Sequence, residues 1–381
     1  MRRRPAVALL IETSNAYARG LLEGINTWVR QHRPWSIYLP EAGRGDAPPP
    51  WLSRWRGDGI IARIETRAIA RAVRRTGLPV VDVSAGRHLP SAPWVETDDR
   101  AIARAAAAHL LERGFRRLAY CGDPRFNWSR NRREAFVEAV REAGAACEVH
   151  ETRARAWEQE HRALMAWARR LAKPVGVLAC YDILAQKLLD ACRELGIGVP
   201  EDLAVLGVDD DPVLCALSTP PLSSIVPNTH RTGYEAAALL DRMMSGSRVR
   251  PDPHLVPPLG VHARQSTDVL AIEDREIAAA ARFIREHACE GITVEDVLRA
   301  VPLSRRVLEA RFRKAMGRTP HDDILRLRIE RVKQLLGETE LSLEQVAARA
   351  GFPHPEYMSV AFKRETGRTP GAFRREARPR G

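Results

Sequence analysis

The sequence predicts an α/β architecture of parallel sheets flanked by helices, followed by an all-α module built from two similar units. Three observations predict it. From residue 5 to about 265, short apolar runs alternate with amphipathic stretches. Beyond about 275 no further strand pattern appears. The last quarter also repeats itself: Phe312-Arg313-Lys314-Ala315-Met316-Gly317-Arg318-Thr319-Pro320 returns fifty positions later as Phe362-Lys363-Arg364-Glu365-Thr366-Gly367-Arg368-Thr369-Pro370. Strand–helix alternation with short connections argues for parallel sheets covered by helices, and a fixed-offset repeat argues for two copies of one structural unit.

The first apolar run, 7–11, follows Met1-Arg2-Arg3-Arg4-Pro5 and is too short for a secretory core, so it reads as a strand. Further strands are expected at 59–62, 79–83, 117–121, 176–179 and 203–208. Helices are expected at 17–31, 67–76, 100–113, 131–143, 156–172 and 183–195. The stretch 245–258 is rich in Pro, Gly and Arg and reads as a crossover loop. The domain division is expected as 1–267, a linker at 268–275, and 276–381.

At 381 residues and 45% hydrophobic, the chain can bury two or three cores. A formal net charge of +12 favours nucleic acid or another anionic partner. Six cysteines (121, 147, 180, 192, 215, 289) stand singly, without metal spacing, as expected for thiols in a reducing cytosol. No run approaches the roughly 20 apolar residues of a membrane span. No nucleophile elbow, P-loop, dinucleotide fingerprint or metal cluster occurs, so no enzyme activity and no cofactor is expected. A cytoplasmic location follows.

In the repeated module, Thr293 with Asp296 and Ser342 with Gln345 have the form of capping boxes opening short helices. Tight turns at Val301-Pro302-Leu303 and Gly351-Phe352-Pro353 precede second helices at about 304–316 and 355–366. Helix, short turn, helix is the helix-turn-helix pattern, here at 293–316 and 342–366. Leu308, Phe312 and Ala315 mark the buried face of the first such helix, with Met358 and Phe362 in the second. Ser304, Arg305, Arg306, Glu309 and Arg313 face outward in one copy, and Glu356, Tyr357, Val360, Lys363 and Arg364 in the other. Arg can read guanine, and Glu can accept from cytosine N4, in a major groove. An ordinary solvated face is the competing reading of either helix alone; the duplication argues for two DNA readers. A helix from Pro320 to about Leu336, with Thr319 as N-cap, would join them. Two readers on one face of a duplex sit roughly 34 Å apart.

These residues resemble the double helix-turn-helix domain of the AraC/XylS family of transcription regulators. The match runs from Leu341-Ser342-Leu343-Glu344-Gln345-Val346-Ala347 through Gly351-Phe352, Tyr357-Met358, Phe362-Lys363, Gly367 and Thr369-Pro370 to Phe373-Arg374. His354-Pro355, Met358 and Val360 depart from it, which puts base reading by the second unit in doubt. The N-terminal two-thirds resembles the sugar-binding domain of LacI-type repressors, a two-lobed periplasmic-binding-protein-like fold of type I. That resemblance rests on Val95-Glu96-Thr97-Asp98, His109-Leu110, Gly114-Phe115, Cys121-Gly122-Asp123, Arg132 with Phe136, Asp182-Ile183-Leu184-Ala185, Gly207-Val208-Asp209-Asp210 and 220–225 leading to Gly233. One architecture joins both parts: the xylose-operon activator type.

The resemblance implies a regulator that binds operator DNA and a sugar, with D-xylose as the expected effector. It also implies a homodimer, paired through the helix that carries Leu21, Leu22 and Ile25, and RNA polymerase as a partner of an activator. A regulator of the same architecture tuned to another sugar, or a solute-binding protein, is the alternative. Carried over by position, the sugar site would include Asn15, Tyr17, Trp128, Arg132, Asp182 and Asp209. Asp209 begins a run of three aspartates that can equally form a solvated turn, and Arg132 sits among Arg130 and Arg133. Tyr181 and Pro227 depart from the LacI-type pattern and bear on which sugar fits.

Overall fold

The computed structural model describes residues 3–43, 46–151, 156–268, 274–339 and 341–377. It divides into two compact units, 1–268 and 269–381. Residues 269–273 of the expected linker lie outside the described residues.

The first unit runs β1 (Ala6–Leu10), α1 (Ala16–Gln31), β2 (Ser36–Tyr38), β3 (Gly59–Ala62), α2 (Arg67–Thr76), β4 (Val80–Asp82), β5 (Trp94–Thr97), α3 (Asp99–Glu112), β6 (Arg117–Gly122) and α4 (Asn127–Glu142). It continues with β7 (Ala146–Glu151), α5 (Trp157–Arg170), β8 (Val175–Ala179), α6 (Asp182–Glu194), β9 (Leu203–Val208), α7 (Pro212–Leu217), β10 (Ser223–Val226), α8 (Thr229–Met244), β11 (Pro253–Val256) and β12 (Gly260–His262). The strands form two six-stranded sheets, ordered β11-β5-β4-β3-β1-β2 and β12-β10-β9-β8-β6-β7. Among the described strands, only β12 runs antiparallel to its neighbour. Each sheet is the centre of one lobe, and the chain crosses between lobes three times: after β5, after β10 and after β11.

The six strands expected from apolar runs are all present. β3, β8 and β9 are buried at every position, as parallel strands covered on both faces must be. The strands without a continuous apolar run lie at or near sheet margins. The loop expected at 245–258 is corrected: it contains β11, whose register against β5 starts at Pro253. An edge strand tolerates proline at its first position, so composition concealed it. Helix α4 begins at Asn127, four residues before the expected start.

Helices α1 and α8 pack closely across glycines. A Cβ on Gly24 would lie 1.9 Å from the His230 carbonyl oxygen, and one on Gly233 would lie 2.0 Å from that of Leu21. This packing corrects one expectation. Leu21 and Ile25 are fully buried within their own chain and offer nothing to a partner subunit; of the three named residues, only Leu22 is partly exposed.

The second unit is helical: α9 (Arg275–His287), α10 (Val294–Ala300), α11 (Arg305–Met316), α12 (Pro320–Glu338), α13 (Leu343–Arg349), α14 (Pro355–Thr366) and α15 (Pro370–Ala377). The expected caps form. Ser342 and Gln345 exchange backbone–side-chain bonds of 3.0 and 3.2 Å, and the Thr293 N–H donates to Asp296 at 2.7 Å. Gly317 and Gly367 end α11 and α14 with φ of +69° and +73°, the left-handed stop that glycine takes without a Cβ penalty. Leu325, Ile329, Val332 and Leu336 of α12 pack with Val346, Met358 and Phe362 in one core.

Candidate functional site

Loops at the carboxyl ends of strands in both sheets converge on a small cavity, where open parallel sheets bind ligands. One lobe supplies Tyr17, Arg63 and Glu96, which follow or end β1, β3 and β5; the other supplies Trp128, Arg132, Tyr181 and Asp209, from the segments after β6, β8 and β9. The space between them is about 20 Å3, room for about one water.

On the first side, the Tyr17 hydroxyl donates to Glu96 and lies 3.2 Å from Thr97 Oγ1. Burial pushes the Glu96 carboxyl up to about 8, against the pull of Arg63. At neutral pH Glu96 is therefore largely a neutral acid, able to donate as well as accept. Arg63 is held by Glu12 and by Glu65, the latter at 2.8 Å, and its guanidinium lies 5.0 Å from the Tyr17 ring centroid. Burial alone would weaken its charge; Glu12 and Glu65 outweigh that and keep it protonated. Glu96 Oε2 and Arg63 Nε are buried without a hydrogen-bond partner among the described residues. Native interiors rarely leave such atoms unpaired, so both are capacity for a polar ligand.

On the second side, Arg132 Nε donates to Asp99 at 2.9 Å and Nη1 to the Cys180 carbonyl at 2.6 Å. Its guanidinium lies 5.1 Å from the Trp128 ring centroid, and Trp128 meets Tyr181 edge-on at 5.7 Å. Arg132 stays charged although burial opposes it, because Asp99 and Asp209 face it. Asp209 adopts φ of +116°, a strained conformation for a residue with a side chain.

Two of the expected sugar residues do other work. Asp182 is 1% exposed and does not line the cavity. Its carboxylate accepts from Ser224 Oγ at 2.6 Å and from the Asp211 N–H at 2.8 Å, so it braces the 209–211 loop from below. Gly207 makes room for it, since a Cβ there would lie 2.2 Å from Asp182 Oδ1. Asn15 caps α1, accepting from the Ala18 N–H at 2.9 Å, with its amide toward Glu12.

In the second unit, Leu308 and Phe312 of α11 and Met358 and Phe362 of α14 are fully buried, which leaves the opposite faces open. Ser304, Arg306 and Arg313 are exposed on the first, and Glu356, Tyr357, Val360, Lys363 and Arg364 on the second. Arg305 is engaged, paired with Glu295 at 2.6 Å and with Glu309 at 3.1 Å. Arg364 pairs with Glu365 at 3.1 Å.

Three family models cover most of the chain: an XylR N-terminal domain at residues 6–100, a periplasmic binding protein-like domain at 107–267, and a helix-turn-helix domain at 297–376. The xylose operon regulatory protein of Escherichia coli K12 is 33% identical over 383 residues, covering 98% of this chain and 97% of that protein. The chain belongs to the xylose operon regulatory protein family. The Haemophilus influenzae member is 32% identical over 97% of both chains. A solved xylose-binding transcription activator superposes with a TM-score of 0.83 at 32% identity over 98% of both chains. A periplasmic binding protein/LacI-type regulator from Alkaliphilus metalliredigens, at 18% identity and a TM-score of 0.56, covers 69% of this chain and shares the fold of the first unit.

Within this family's two-lobed unit, four of the six expected sugar residues meet at the cavity: Tyr17, Trp128, Arg132 and Asp209. Sequence reasoning missed Arg63 and Glu96 as lining residues, and marked Tyr181 only as a departure bearing on which sugar fits. Arg63 followed an apolar run and Glu96 stood inside a quoted match, but nothing local marks either as facing a ligand. The one available signal was a charged residue at a strand's carboxyl end.

Proposed function

We propose that this protein is a sugar-responsive, DNA-binding transcription regulator whose effector is D-xylose and which activates pentose-utilisation genes. The observation that carries the reading is the pairing of unsatisfied, buried Glu96 Oε2 and Arg63 Nε in one lobe with Arg132 and Asp209 in the other. Vicinal hydroxyls suit such groups, because each hydroxyl both donates and accepts, and the Trp128 and Tyr181 rings suit a sugar's apolar face. A pentose needs far more room than one water, so the lobes must part to admit it and close on it. Asn127, which reaches from the second lobe to the Ala85 and Gly86 carbonyls at 3.2 and 3.0 Å, and Arg19, 3.7 Å from Asp211, tie the closed arrangement together. A sugar that favours closure shifts the population of the two states by its differential affinity.

The names of the relatives support xylose and activation; the tandem readers support operator DNA. The protein acts by binding and not by catalysis. No described helix is long and apolar enough to cross a membrane, and a regulator of DNA works in the cytoplasm. It does so as a homodimer, with RNA polymerase as the activated partner. Gel-shift titration against the DNA upstream of its neighbouring genes, with and without D-xylose, tests the reading. Sequence preference strengthened by xylose is expected; binding indifferent to sequence and sugar at moderate salt rejects it. Calorimetry against a panel of pentoses and hexoses decides between xylose and another effector.

A further inference from the structure

The two recognition helices, α11 and α14, are joined by α12, but a single helix does not set their relative phase. Helices bend at little cost and fray at their ends. A second point of contact closes the frame. The turn after α13 packs against the segment that follows α9: a Cβ on Gly351 would lie 2.8 Å from the carbonyl carbon and oxygen of Cys289 and 2.9 Å from the Ala288 oxygen. Gly351 also takes φ of +77°, so backbone meets backbone at a place where only glycine fits.

Arg328, from the middle of α12, ties the same junction. It is 9% exposed. Its Nε donates to the Ala288 carbonyl at 2.8 Å and its Nη2 to the Ile292 carbonyl at 2.7 Å, while the guanidinium lies 5.8 Å from the Phe352 ring centroid. Ala288 and Ile292 precede the first reader; Phe352 belongs to the turn of the second. Burial pushes its pKa down, so a charged group is kept here against its solvation preference. An apolar side chain would fill the space at lower cost, but it could not hold two carbonyls in one direction. Arg305 of α11, Tyr357 of α14 and Arg328 border one hollow of about 190 Å3, so the tie lies beside the starts of both recognition helices.

We propose that Arg328 and Gly351 form a lock that fixes the spacing and phase of the two recognition helices, so that the unit engages successive major grooves at one separation only. Arg328 is a positioning residue: it acts on the readers and need not touch DNA. The inference rests on the tandem-reader function above.

The test uses full-length protein and DNA fragments that the wild type selects from a random-sequence pool. Affinity is measured for the selected site, for the site with either half scrambled, and for the site with about a quarter and about half a helical turn inserted between halves. For the wild type, insertion is expected to lower affinity about 100-fold or more, to the level of a single half-site. Arg328→Met is expected to lose that gain on the intact site, to become indifferent to the insertions, and to bind a single half-site as the wild type does. Arg328→Lys, with one donor head in place of the fork, falls between and decides the matter if Arg328→Met melts early. Arg328→Met or Arg328→Lys with wild-type affinity and unchanged spacing dependence overturns the lock. A wild type that tolerates the insertions overturns the lock alone; one that selects no sequence overturns the regulator reading beneath it.

Discussion

The Asp182 carboxylate accepts the main-chain N–H of Asp211 at 2.8 Å, and through that bond it shapes the loop from which Asp209 borders the cavity. The same carboxylate takes the Ser224 hydroxyl at 2.6 Å. Burial, with the neighbouring Asp209 charge adding to it, pushes the Asp182 pKa well up. In the proposed sugar-binding reading, this side of the cavity relies on two aspartates with different duties: one beneath the loop and one at its surface. Asp182→Ala orphans a buried N–H and a buried hydroxyl, and is expected to cost about 2–5 kcal/mol of stability as well as sugar affinity. Calorimetric unfolding together with sugar titration checks both; sugar loss at unchanged melting temperature contradicts the bracing role.

Asp209 has the opposite profile. Its φ of +116° is strained for a side-chain-bearing residue and ordinary for glycine. Asp209→Gly is expected to relieve about 1 kcal/mol of backbone strain, offset by the lost charge facing Arg132, while abolishing the sugar response and leaving DNA binding in place. Undiminished sugar affinity in this variant removes Asp209 from the site.

Glu96 makes stability depend on pH in a definite direction. Its folded pKa of about 8 lies above the ordinary 4.5, so the folded state holds the proton more tightly. That contribution is fully present below about pH 4.5 and is lost as pH rises through about 8. Over this window the loss amounts to roughly 3–5 kcal/mol. Glu96→Gln, neutral throughout, is expected to flatten this part of the profile. Parallel profiles for wild type and variant refute the assignment.

On the DNA side, Arg306→Ala is expected to cost about 1–3 kcal/mol of operator binding and to relax one base position. Equal loss on random DNA marks Arg306 as a phosphate contact instead. Arg305→Ala is expected to cost less, because Arg305 must first leave Glu295 and Glu309.

The α1–α8 seam gives a prediction about stability alone. Gly24→Ala places a methyl group 1.9 Å from a carbonyl oxygen, which the two helices can relieve only by separating. A loss of about 1–3 kcal/mol or more is expected, read by thermal unfolding; a neutral substitution shows that the seam yields.

Local pattern was enough for much of this molecule. Apolar runs marked the buried central strands, and β3, β8 and β9 lie where those runs fall. Capping residues and C-terminal glycines bounded the helices of the second unit, and the fifty-residue repeat announced two readers on one strut. These features depend on residues within a turn or two of each other, so periodicity and cap chemistry record them. The edge strand β11 escaped because its pairing with β5 needs only four residues, one of them proline.

Convergence was decided by tertiary structure. Strand order in the first sheet places the ends of β1, β3 and β5 along one rim, and so brings Tyr17, Arg63 and Glu96 together from positions as much as 79 residues apart. The order of the second sheet sets Asp182, which follows β8, beneath the loop that follows β9, whereas Asn15 is committed to its helix cap by a bond spanning only three residues. Likewise, the repeat foretold two reading helices, whereas the contact of Gly351 and Arg328 with the segment before the first reader is visible only once both helix-turn-helix elements of the second unit have folded. The physical reason is the same in each case. Secondary structure follows from interactions between near neighbours, whereas a binding site is made where strand order and helix packing bring distant side chains to one point.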